Sequence, residues 1–134
     1  MIELYSGLLA HVSAPPLVPD ERPIDIEHLF RMTLGDHHLE REVLQLFDHQ
    51  AGMLIERISQ SSQSGRSELG IVAATAHTMK GSARGIGAWQ LARAAEAVEN
   101  AALGTQPGLA KAVGVLVACV GEARAAIADL LRSH

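Results

Sequence analysis

Residues 69–86 read Leu69-Gly70-Ile71-Val72-Ala73-Ala74-Thr75-Ala76-His77-Thr78-Met79-Lys80-Gly81-Ser82-Ala83-Arg84-Gly85-Ile86. Within them Leu69, Val72, Ala76, Met79, Ala83 and Ile86 recur at alternating intervals of three and four. This is the seam of a helix packed nearly parallel to its neighbours in a bundle. Gly85 and Gly87 interrupt the period, and Ala88, Leu91, Ala95, Val98 and Ala102 resume it as the next helix.

The flanking segments repeat this pattern. Asp25 can cap a short helix carrying Ile26, Leu29, Phe30 and Thr33, with Gly35 as its stop. Asp36 offers the cap of a long helix with Leu39, Val43, Leu46, Phe47, Leu54, Ile55 and Ile58 on one face, ending in the Ser/Gln/Gly loop 59–67. After a turn at 104–108, Leu109, Val113, Leu116, Val120, Ala123, Ile127 and Leu130 line a last helix. No polar/apolar alternation lies between hairpin signals, so no sheet is expected. The predicted fold is all-α, an antiparallel up-down four-helix bundle with a short additional N-terminal helix. Alanine at many seam positions lets helices approach closely, which suits a chain with only four aromatic residues.

Composition removes several function classes. The 134 residues are 48% hydrophobic and 19% charged with net charge −4, which suits one folded domain and excludes a disordered chain. Eleven Lys+Arg against 15 Asp+Glu, with so few aromatics, leave no footprint for nucleic acid. The one cysteine, Cys119, sits in an apolar stretch and reads as packing in a reducing compartment. The amino terminus does not read as a secretory signal, and the longest apolar run, 112–121, is half the roughly 20 residues of a membrane helix. A soluble, cytoplasmic protein without membrane contact is expected, monomeric because the seams use most large apolar residues. Pro15, Pro16, Pro19 and Pro23 mark residues 1–22 as an arm or linker ahead of a bundle domain at 23–134.

Beside the seam of residues 69–86 runs a second stripe, Ala73, His77, Lys80, Gly81 and Arg84, facing solvent or a groove. Taken singly these are ordinary surface residues, as are His11, His28, His37, His38, His49 and His134. Together they fit the carrying of a phosphoryl group. An exposed imidazole, with pKa about 6.5, is mostly neutral at pH 7 and nucleophilic. A lysine one turn away can meet the negative charge on the transferred oxygens. Gly81 has no side chain to crowd the incoming group, at a cost of about 1 kcal/mol in helix propensity.

The stretch from His77 to Ala92 closely resembles the signature of histidine-containing phosphotransfer (HPt) domains. That signature places a histidine first, Lys-Gly at the third and fourth positions after it, and a small residue or serine next. A glycine follows at the tenth, a leucine at the fourteenth, and often an acid or amide at the twenty-second. Here these are His77, Lys80, Gly81, Ser82, Gly87, Leu91 and Glu99. The resemblance extends over about residues 24–131, with Gly85 where asparagine is common.

The resemblance implies that His77 accepts a phosphoryl group on Nε2, that Lys80 balances its charge and that Gly81 keeps the approach open. Glu99 would accept a hydrogen bond from Nδ1–H, and Ser82 would support the site. We add Arg84, one turn further along, as a phosphate or partner contact. The implied partners are receiver domains of response regulators and a hybrid histidine kinase. Mg²⁺ and the acceptor aspartate would belong to the receiver, so no cofactor or metal is expected on this chain. Without a Gly-rich nucleotide loop or room for an ATP-binding domain, the chain is expected to carry phosphohistidine rather than act as an autonomous kinase. Two other readings share the motif: the phospho-accepting domain of a chemotaxis-type kinase, and a non-catalytic adaptor that binds receivers.

Overall fold

The structure, a computed structural model, describes residues 21–105 and 107–133. Most of the expected arm lies outside the described residues. Five α-helices follow one another: α1 (Ile26–Met32), α2 (His37–Ser62), α3 (Leu69–Ile86), α4 (Trp89–Ala102) and α5 (Leu109–Arg132). A single 3₁₀ turn, Arg66–Glu68, leads into α3, and no strand occurs among the described residues. None of the helices is long and apolar enough to cross a membrane.

The four long helices close a ring. α2 and α4 each pack on both α3 and α5, so α3 and α5 stand diagonally opposite across the core. The predicted seams form most of that core: Val72, Ala76, Met79, Ala83 and Ile86 of α3 meet Leu91, Ala95 and Val98 of α4, with Phe47 and Ile58 of α2 and Leu116, Val120 and Ile127 of α5. On α2 the buried face is turned slightly from the predicted one, so Leu44, which the spacing did not include, is fully buried and Leu39, which it did, is exposed. Alanines line the α3–α4 contact, and the resulting close approach buries Ala73 as well. Ala73 therefore leaves the exposed stripe on which the spacing had placed it. α2 also runs to Ser62, past the expected loop start, because Ile58 and Ser61 remain buried in its last turns. Cys119 is half-buried against the core, and burial pushes its thiol up.

The predicted caps form. Asp25 Oδ1 accepts from the His28 amide at 3.1 Å, and Asp36 Oδ1 accepts from the His38 and Leu39 amides at 2.9 and 3.1 Å. α1 ends at Met32, and the chain turns through Leu34 and Gly35 with φ of 54° and 71°.

Asp25 does more than cap. Its amide donates to the Gly87 carbonyl at 2.9 Å, and its Oδ2 accepts Trp89 Nε1–H at 2.9 Å. His28, expected at the surface, is buried instead: its Nε2–H donates to the Gly85 carbonyl at 3.1 Å, and its ring meets Trp89 edge-on at 4.9 Å. Burial lowers the His28 pKa, so the ring stays neutral. These contacts pin α1 onto the α3–α4 turn. Gly87, at φ 83°, closes that turn as a Schellman motif, with Gly87 N–H donating to Arg84 O and Ala88 N–H to Ala83 O. A Cβ on Gly87 would lie 3.1 Å from the Asp25 carbonyl oxygen, so glycine is required there for space as well as for φ.

Candidate functional site

The tight α3–α4 turn sets the two helices side by side, which brings positions 77 and 80 of α3 level with position 99 of α4. His77 Nδ1–H donates to Glu99 Oε2 at 2.8 Å, and Lys80 Nζ donates to Glu99 Oε1 at 2.7 Å. One carboxylate thus holds both groups. The Glu99 and Lys80 side chains are only 15% and 14% exposed, whereas His77 is 67% exposed.

Protonation follows from these contacts. Burial alone raises the Glu99 carboxyl, but hydrogen bonds from Lys80 and His77 outweigh it and hold the group below the ordinary carboxylate range. An ionised carboxylate only accepts, so the bond to His77 places a proton on Nδ1. In the neutral ring Nε2 then keeps its lone pair. The result is an oriented imidazole ring whose Nε2 side faces solvent.

The other candidate residues divide by accessibility. Gly81 is exposed one turn from His77, and a Cβ there would meet nothing within 4 Å. Arg84 pairs with Glu96 Oε2 of α4 at 3.7 Å, a second rung beside Lys80–Glu99. Glu96 was not singled out from the sequence, although its spacing of three from Glu99 answers the spacing of four between Lys80 and Arg84 on the facing helix. Ser82 is 6% exposed, packed inside the bundle and out of a partner's reach. Among the described residues no group of three or more His, Cys, Asp or Glu side chains is placed to hold a metal ion.

A family model described as Hpt domain matches residues 42–131, two-thirds of the chain. The chain belongs to the Hpt domain family. Histidine phosphotransfer in phosphorelays, with receiver domains and kinases as partners, is therefore the activity class of this Hpt domain. No curated protein and no solved structure matches the chain. The match begins within α2, so α1 with His28 and its cap Asp25 lies ahead of it.

Proposed function

We propose that His77 is the phosphoryl acceptor of this domain, taking the group from the aspartyl phosphate of one receiver domain and passing it to another. The observation that carries this reading is the 2.8 Å bond between His77 Nδ1 and Glu99, which takes up Nδ1 as the donor and leaves Nε2 as the exposed ring nitrogen. In transfer the Nε2 lone pair forms the N–P bond as the bond from phosphorus to the aspartyl oxygen breaks, and the electron pair leaves with the carboxylate. The ring becomes an imidazolium that keeps its proton on Nδ1 and donates it in a hydrogen bond to the Glu99 carboxylate. Lys80 spends one N–H on Glu99 and keeps two for the phosphoryl oxygens. The magnesium ion such transfer requires is the receiver's.

In this reading Gly81 leaves the approach open, Arg84 contacts the partner or its phosphate, and Ser82 supports α3 from within. The bundle is up-down and antiparallel, as the two-residue connection from α3 to α4 favours. Incubation with a phosphorylated receiver tests the proposal. Wild type should gain acid-labile, base-stable label and His77→Gln none. Equal labelling of the two proteins would refute it.

A further inference from the structure

The outer face of α5 has no partner among the described residues. From Ala112 to Gly121 the helix carries no charged side chain anywhere around its circumference, between Lys111 at one end and Glu122 at the other. A helix apolar on every side is normally buried on every side. Here only one side is: Leu116 and Val120 enter the core, while Val115 and Val117 remain 49% and 46% exposed and Gly114, Ala118 and Gly121 face solvent.

We propose that this face binds a second copy of the chain, with the two α5 helices antiparallel about a two-fold axis between residues 116 and 117. The end charges select that occupant and that direction. Lys111 and Glu122 lie within about 20° of each other around the helix, at 100° per residue. Antiparallel pairing about that midpoint therefore sets Lys111 of each copy against Glu122 of the other, twice by symmetry. Neither residue forms an ion pair among the described residues. The same register lays Val115 of each copy on Ala118 of the other. Cβ atoms at Gly114 and Gly121 would meet nothing within 4 Å among the described residues, so two residues that weaken a helix stand where a second backbone can come close. Antiparallel helix dipoles favour the same arrangement.

The dimer stands independently of the phosphotransfer reading. Because α3 lies diagonally across the ring from α5, it leaves both copies of His77 facing away from the contact.

Sedimentation velocity of the full chain tests the proposal. The mass should rise from 14.2 kDa toward twice that value as concentration rises from micromolar toward millimolar. Lys111→Glu and Glu122→Lys should each shift the midpoint at least tenfold toward monomer, and the double swap should restore it. Circular dichroism would check that each variant is folded. A mass that stays monomeric throughout would overturn the proposal and leave the face to residues 1–20 or to a different protein. A dimer that both single variants leave unchanged, or that the double swap fails to restore, would overturn the antiparallel pairing.

Discussion

Replacing Gly81 by alanine should make the protein more stable and a poorer carrier. Gly81 lies inside α3, faces solvent, and has nothing within 4 Å of the position its Cβ would take. The folded state therefore gains a better helix former without a clash, about 0.8–1.0 kcal/mol. About 1 kcal/mol raises Tm by about 4–8 °C in a domain of roughly 60–100 residues, so this somewhat longer chain should gain about 4 °C. The same methyl group stands one turn from His77 on the face that a receiver must approach. Displacing the incoming phosphorus by about 1 Å costs up to about a hundredfold in rate, so transfer to Gly81→Ala should slow by about tenfold or more. Thermal melts and a time course of labelling from a phosphorylated receiver read the two effects separately. A lower Tm would mean that α3 is not open at this position. An unchanged rate would mean that no partner comes close to Gly81.

Three further outcomes follow from the hydrogen bonds. Glu99 is held below the usual carboxylate range, so its contribution is complete near neutral pH and is lost as pH falls through that lowered value; the Tm deficit of Glu99→Gln should be largest near pH 7 and close in acid, and thermal melts across pH check this. Burial lowers the His28 pKa, so the unfolded chain takes up the proton first and wild type should lose stability as pH drops below about 6.5. Urea midpoints on either side of that range should show the step in wild type and not in His28→Gln. Trp89→Phe leaves the buried Asp25 Oδ2 without its indole donor and should cost about 1–3 kcal/mol in urea denaturation, with the transfer rate of the folded protein unchanged.

The helices were legible because their information is local. Spacings of three and four fixed the seams, Asp25 and Asp36 announced their caps, and the His77-to-Glu99 interval of 22 residues became a contact once the two-residue α3–α4 turn set the helices side by side. What stayed hidden depends on contacts between distant positions. His28 meets Gly85 across 57 residues and Asp25 meets Trp89 across 64, so neither appears in any helical period. Ala73 was misplaced for a related reason: periodicity gives the angle of a residue on its own helix, but burial at the edge of a seam depends on how close the neighbouring helix comes. Asp25 was legible as a cap but not as the acceptor of Trp89, and of the three residues only Trp89 lies near Gly85 and Gly87 in sequence.

The site's charges bear on why an acid rather than an amide stands at position 99. At rest the Lys80 ammonium and the Glu99 carboxylate cancel each other's charge beside His77. Once the group is on Nε2, the ring is an imidazolium, and the carboxylate against Nδ1 favours keeping its proton. That proton matters for the return step, because a neutral imidazole leaves phosphorus more readily than an imidazolate does. Glutamine could accept the same hydrogen bond but would favour the protonated ring less and leave the Lys80 charge uncompensated in the resting site. On the proposed reading the carboxylate lowers the barrier to release while Lys80 stabilises the phosphoryl oxygens once they arrive. In the proposed mechanism, transfer in both directions rests on this division between the two neighbours of His77.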